Sequence, residues 1–243
     1  MRYSGAVVVP ARFHSSRFPG KPLAEIGDKI MIQHVYERCV KAVGGNEVYV
    51  ATDSEQIAEA VKGFSGRVIM TSESCLTGTD RLAEANKQLN LDFIVNVQGD
   101  EPMVNPADIK MVFDKMQSDT SAVLNCYCEI EDHEVAMSSV PKVVVSRSQK
   151  LIYMSRAGVP FDKDNQPHAM FKQVCIYGFG REHLVSFAGQ ASKTQNEVYE
   201  DIEILRFLDM DIPVQMIEVA KGNLAVDTLE DLRRVRRVLL SDG

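Results

Sequence analysis

The chain opens on an unbroken apolar run at residues 6–9, short and β-branched, which predicts a strand buried on both faces, as parallel strands in α/β sheets are. Across residues 31–43 the apolar positions Met31, Ile32, Val35, Cys39, Val40 and Val43 fall at helical spacing, and Gly44-Gly45 ends the segment. Residues 47–52 predict a second strand, with Asp53-Ser54 placed to cap a helix over 55–64. The alternation continues with a strand over 67–71, a helix over 79–89, a strand over 92–97 and a helix from Asn105-Pro106 to about 116, proline taking the first helical position. Alternating strands and helices predict a doubly wound sheet, whose ligands bind at the carboxyl ends of the strands.

Beyond residue 120 the pattern changes. Segments 121–130, 142–146 and 173–179 are β-rich with few helices between them, and 159–168 is polar and proline-containing. Strands in succession predict antiparallel additions to the sheet or a lobe beside it. A helix over 196–210 carries Glu203 and Arg206 at i and i+3, 214–219 predicts one more strand, and Asp227-Thr228 caps a last helix over 229–240. With no internal repeat or low-complexity linker, the expectation is one α/β domain over 1–243: a doubly wound, mixed but mostly parallel sheet, with about 121–195 forming a small antiparallel lobe.

Composition narrows the function. A net charge of -7 argues against a general nucleic-acid binder, which needs a basic surface. The five cysteines, at 39, 75, 126, 128 and 175, match no zinc spacing and predict free thiols in a reducing compartment. Cys126 and Cys128 share one face of a strand and read as core thiols. No apolar segment approaches the roughly 20 residues of a membrane span. Met1-Arg2-Tyr3-Ser4 leads straight into the first strand without room for a signal peptide, so the expectation is a cytoplasmic protein with no membrane or nucleic-acid partner.

The candidate chemistry gathers after the first strand. Arg12, Arg17 and Lys21 lie there with Gly20, two prolines and two serines. On the residues alone this loop is an anion site or a solvated surface; proline after Lys21 excludes a Walker motif, and the dinucleotide glycine fingerprint is absent. Asp100 follows the strand over 92–97 and can reach a cation at the sheet edge, or bond its own turn. Asp227 likewise serves a cation or caps a helix. A Mg²⁺ ion needs only one or two protein carboxylates when phosphates and waters complete its octahedron, so these two aspartates suffice. The five histidines have no ligand-like spacing, and no Ser/His/Asp or Cys/His set stands out.

At these residues a family resemblance becomes specific. Val9-Pro10-Ala11-Arg12 through Phe18-Pro19-Gly20-Lys21-Pro22-Leu23, then Val50-Ala51-Thr52-Asp53, Thr77-Gly78-Thr79-Asp80-Arg81-Leu82, Asn96-Val97-Gln98-Gly99-Asp100-Glu101-Pro102, Tyr153-Met154-Ser155-Arg156 and Val226-Asp227-Thr228 recur in order. Together they resemble the 3-deoxy-manno-octulosonate cytidylyltransferase family of sugar-acid cytidylyltransferases, over nearly the whole chain. The resemblance implies a nucleotidyltransferase fold, a homodimer with a substrate and dimerisation lobe, CTP, Mg²⁺, and transfer of CMP to an ulosonic acid with release of pyrophosphate, for lipopolysaccharide or capsule synthesis. It implies that Arg12 and Lys21 hold the triphosphate with Arg17 nearby, that Asp100 and Asp227 hold Mg²⁺, and that Pro10, Ala11, Gln98 and Thr79-Asp80-Arg81 lie by the nucleotide. Arg156, Gln173, Tyr177, Glu200 and Glu203 are then expected to face the sugar acid. Two positions depart from the family pattern, Gln173 for a histidine and Ile204 for a polar residue, and both are expected on the sugar side. A changed hydrogen-bonding set there can favour another hydroxyl pattern, so the expected acceptor is 3-deoxy-manno-octulosonate or a close relative; the alternatives are a nucleotidyltransferase acting on a different sugar acid or on a sugar or polyol phosphate, and a non-catalytic nucleotide-binding homologue.

Overall fold

β1 (Gly5–Ala11) is the strand that the opening apolar run predicts. The computed structural model describes residues 2–14, 18–164, 166, 168–222 and 224–241, and in it β1 lies inside a nine-stranded sheet. A two-residue ribbon, β2 (Glu25–Ile26) and β3 (Lys29–Ile30), leads into α1 (Met31–Val43). There follow β4 (Val48–Thr52), α2 (Glu55–Gly63), β5 (Val68–Met70), α3 (Gly78–Leu89), β6 (Phe93–Val97) and α4 (Pro106–Ser118). β1 pairs in parallel with β4 and β6, and β4 with β5, so these four strands end along one edge.

The two-residue period of β1 divides the core. Val7, Val9 and Ala11 pack beneath Ile32 and Val35 of α1 and Ile109 of α4, whereas Ala6 and Val8 face Leu82 of α3 on the opposite side. Side-chain caps fix three of these helices: Ser54 accepts from the Ile57 amide, Thr77 from Asp80 and Asn105 from Ala107.

The second half supplies β7 (Val123–Glu129), β8 (Lys142–Val145), β9 (Leu151–Ser155), β10 (Phe171–Gly180), α5 (Arg181–Ala188), α6 (Gln195–Glu200), α7 (Leu205–Asp209), β11 (Val214–Glu218) and α8 (Leu229–Ser241). The sheet order is β11-β7-β10-β6-β1-β4-β5, with β8 on β10 and β9 on β8. β10 runs antiparallel to both β6 and β7. Its later residues pair alongside β6, while Phe171 to Cys175 overhang the edge where the parallel strands end. That overhang builds one wall of the cleft described below. Cys126 and Cys128 are buried on one face of β7, and all five cysteines are free.

Besides the β2–β3 ribbon, three parts of the second half differ from the sequence expectation. β9 is a strand that the polarity pattern hides, because Ile152 points into solvent beside buried Leu151 and Met154. α5 begins directly from β10, and Gly180 offers no side-chain cap to announce it. The single helix expected over 196–210 is two, broken where Asp201 takes a left-handed conformation with φ 50°. Among the described residues no helix is long and apolar enough to cross a membrane.

Candidate active site

The cleft lies where β1, β6 and the overhanging start of β10 converge, and it has two lobes. The smaller, about 170 Å³, runs beneath the ends of β1 and α3; the larger, about 260 Å³, lies against β10 and the loop before β8. Gln98, Asp100, Glu203 and Asp227 line both.

The wall shared by the lobes is drawn together by a lysine. Gly20 sits at φ 69°, a conformation suited to glycine, and opens a short 3-10 turn at Lys21–Leu23 with Pro22 buried beneath it. From that turn the Lys21 Nζ donates to Asp100 Oδ2 at 2.6 Å, to the Val226 carbonyl at 2.8 Å and to Asp227 Oδ1 at 3.5 Å. Burial opposes the charge, but Asp100 and Asp227 outweigh it and hold this ammonium above the ordinary lysine range. The backbone reinforces the arrangement, since the Val226 amide donates to the Asp100 carbonyl at 2.9 Å. Gly99 permits the approach: a Cβ there would meet the Pro10 carbonyl oxygen at 3.0 Å.

Asp227 is not the helix cap. Thr228 takes that role, accepting from the Asp231 amide at 3.2 Å while Asp231 Oδ2 accepts from the Thr228 hydroxyl and amide and from the Asp227 amide. The Asp227 carboxylate meets the Lys21 ammonium that Asp100 also binds. No group of three or more His, Cys, Asp or Glu side chains among the described residues is arranged to hold a metal ion by itself. Two carboxylates and a carbonyl that already converge on a cation nevertheless fit a Mg²⁺ ion whose remaining ligands are phosphates and water.

Around the smaller lobe, the structure brings Pro10, Ala11, Arg12, Lys21, Arg81 and Gln98 together. Arg81 is nearly buried, and its guanidinium is committed to Asp53 at 2.6 Å and to the Thr71 hydroxyl, so it stiffens the wall. Thr79 does not line the lobe; its hydroxyl and amide donate to Glu203 Oε2 at 2.7 and 2.8 Å. Asp80 is turned away as well, accepting from Thr77 and Arg206. Arg17 lies outside the described residues.

Of the residues expected to face the sugar acid, Arg156, Gln173, Tyr177 and Glu203 line the larger lobe and Glu200 does not. The Glu200 carboxylate accepts from the Ser155 hydroxyl at 2.7 Å and the Arg156 amide at 2.8 Å, so it pins the end of β9. Arg156 spends N–H donors on the carbonyls of Ser138, Glu200 and Asp201, leaving two of its five for a ligand. Gln173 donates to Asn125 Oδ1 at 3.1 Å, while the Asn125 amide group donates to the carbonyls of Val174 and Ile176, where the register of β10 on β7 shifts between Val174 and Tyr177. The two oxygens of Glu203 accept from Gly78 and Thr79, so its charge sits on the N-terminus of α3. Ile204 is a correction: it is 2% exposed, packs among Ile202, Leu205 and Phe207 in the core, and lines neither lobe. A side chain that starts α7 faces the sheet, so of the two departures only Gln173 reaches the cleft.

Four residues of the larger lobe escape the sequence reading. Lys172 and Glu134 form a nearly buried ion pair with N–O distances of 2.5 and 2.7 Å. Their separation of 38 residues leaves no local signal. Glu101 is 4% exposed with one carboxylate oxygen unpartnered, and burial together with neighbouring Asp100 pushes its carboxyl up to about 7. Cys175 lies beside it, its thiol pushed upward by burial and by Glu101. Beneath the loop that lines the lobe, fully buried Lys142 donates to the carbonyls of Met137, Val140 and Arg156 at 2.7 to 2.9 Å.

Comparison with known proteins places this geometry. A profile of the cytidylyltransferase family matches residues 6–222. The chain is 38% identical over 237 residues to 3-deoxy-manno-octulosonate cytidylyltransferase of Escherichia coli, covering 97% of this chain and 96% of that one. It is 37% identical to 8-amino-3,8-dideoxy-manno-octulosonate cytidylyltransferase of Shewanella oneidensis, covering 97% and 98%. A solved structure of CMP:2-keto-3-deoxy-manno-octonic acid synthetase complexed with CTP matches with a TM-score of 0.90 at 37% identity, covering 99% of this chain and all of that one. By sequence along nearly its full length, and by a mixed sheet whose edge carries the cleft, the chain belongs to the cytidylyltransferase family.

Proposed function

We propose that the protein transfers CMP from CTP to the anomeric hydroxyl of a 3-deoxy-ulosonic acid, 3-deoxy-manno-octulosonate or its 8-amino relative, and releases pyrophosphate, supplying a CMP-sugar for lipopolysaccharide or capsule synthesis. The observation that carries this reading is the cleft with two lobes, whose common wall holds Asp100 and Asp227. The triphosphate occupies the smaller lobe, against Arg12, Lys21 and the turn at Gln98-Gly99, where Arg81 is already fixed by Asp53. The sugar acid occupies the larger, with its carboxylate near the two N–H groups that Arg156 keeps in reserve. Mg²⁺ held by Asp100 and Asp227 supplies Lewis-acid neutralisation of phosphate charge. The protein's own part is to hold the sugar hydroxyl in line with the α-phosphorus and to set the Lys21 ammonium and Arg12 guanidinium against the charge that develops on the departing pyrophosphate.

Pyrophosphate release from CTP, measured with a panel of 2-keto-3-deoxy sugar acids and with sugar 1-phosphates, tests the reading. Turnover is expected with the acids, and Asp100→Asn or Asp227→Asn should each lower it by at least about a hundredfold. Turnover with the 1-phosphates alone would sink it. The same reading makes the protein a homodimer, supported by the solvent-facing apolar side chains of Ile152, Val198 and Tyr199, and light scattering measures that directly.

A further inference from the structure

We propose that Lys21 is a place-holder for the metal: in the ligand-free protein its ammonium occupies the position between Asp100 and Asp227, and a divalent cation enters only once a triphosphate draws it away. The inference rests on the nucleotide reading above and concerns the order in which the reactants assemble.

The contacts of Nζ carry it. One ammonium meets two carboxylates and one backbone carbonyl, at 2.6, 3.5 and 2.8 Å, and these oxygens are the kind of donor set a hard divalent cation takes. Without the lysine, two converging carboxylates repel one another; with it, one of their two charges is already balanced and the repulsion is relieved. A divalent cation arriving alone must share those oxygens with a positive charge in hydrogen-bond contact with them, within a partly buried pocket where the lysine side chain is only 15% exposed and screening is weak.

A triphosphate reverses the balance. It brings several negative charges to the smaller lobe, which Lys21 also lines, and so offers the ammonium other oxygens. The lysine stem has four rotatable carbons, so the head group can move to the phosphates while the turn at Lys21–Leu23 and its buried Pro22 stay in place. Metal and nucleotide are then coupled through one side chain, and the coupling is reciprocal: each tightens the binding of the other. The consequence for the reaction is that neither free Mg²⁺ nor metal-free CTP assembles the site alone.

The experiment is Mn²⁺ binding to the full chain, followed by electron paramagnetic resonance, without nucleotide. Lys21→Met should bind Mn²⁺ at least about tenfold more tightly than the wild type, while Lys21→Arg, which retains the cation, should stay weak. Adding CTP should raise the wild-type affinity strongly and that of Lys21→Met much less. Equal Mn²⁺ affinity of wild type and Lys21→Met in the absence of nucleotide overturns the proposal. The unmodified protein gives a second measurement that no folding defect can confound: the ¹⁵N signal of the Lys21 ammonium should move on addition of CTP and stay in place with Mg²⁺ alone. Movement with Mg²⁺ alone overturns the proposal equally. Failure of the wild type to bind CTP in the presence of Mn²⁺ sinks the nucleotide reading instead, whereas the metal-only comparison still decides the role of Lys21.

Discussion

Arg206 reaches three elements from one position. Its guanidinium, wholly buried, donates to both oxygens of equally buried Glu197 at 2.6 and 2.7 Å, to Asp80 at 3.1 Å and to the Phe187 carbonyl, and lies 3.6 Å over the Phe187 ring. Removing it strands Glu197 as an uncompensated charge in the core. Arg206→Ala is therefore expected to lower stability by about 3–5 kcal/mol, read by urea unfolding, because a broken buried pair leaves its partner unsolvated. Spacing along the chain points elsewhere: Glu203 and Arg206 stand at i and i+3, yet they do not pair, since Glu203 precedes α7 and turns to the amides of Gly78 and Thr79. Partners 125 residues apart leave no trace in a local pattern. Asp227 is the reverse case, where sequence offers a cap and a ligand with equal force, and the structure gives the cap to Thr228 and Asp231.

At the scale of elements, the parallel half was legible and the antiparallel half only partly so. β1, β4, β6 and the helices α1 to α4 announce themselves by unbroken apolar runs, helical periodicity and side-chain caps, all properties of neighbouring residues. The loop of residues 137–141, which lines the larger lobe, is fixed instead by a lysine that follows it. Lys142 satisfies its ammonium with three carbonyls and no carboxylate, so it acts as a bolt between that loop and the end of β9 at Arg156. Lys142→Met should raise KM for the sugar acid by about tenfold with CTP binding and the KM for CTP unchanged, since misplacing one wall affects the ligand that wall orients. Equal losses toward both substrates would mean that the lysine serves the fold as a whole.

Taken as a whole molecule, the protein carries its pH sensitivity partly in the larger lobe. Burial opposes ionisation of Glu134, but the Lys172 ammonium and the Glu131 amide prevail and hold its carboxyl below the ordinary value of 4.5. A carboxyl depressed on folding adds stability that is complete above the unfolded value and is lost as pH falls through the folded one. Glu134→Gln should thus melt below the wild type at neutral pH, with the gap narrowing under pH 4.5 when followed by thermal unfolding across pH. The candidate site was legible to the same degree as the sheet. Loops after parallel strands showed the cations and Asp100, whereas Lys172, Glu134 and the Asn125–Gln173 contact depend on β10 reversing direction and lying between β6 and β7.

The place of Asp227 in the chain makes the sheet and the cleft separable by truncation. Every strand of the sheet, including β11 at Val214–Glu218, precedes it, and its segment joins the site through the bond from Val226 to the Asp100 carbonyl. The same segment also closes part of the core, since Val226, Leu232 and Val235 pack with Ile26 and Met31. A chain cut before residue 226 would keep every strand of the sheet and lose both a carboxylate beside Lys21 and the apolar cover over Ile26 and Met31.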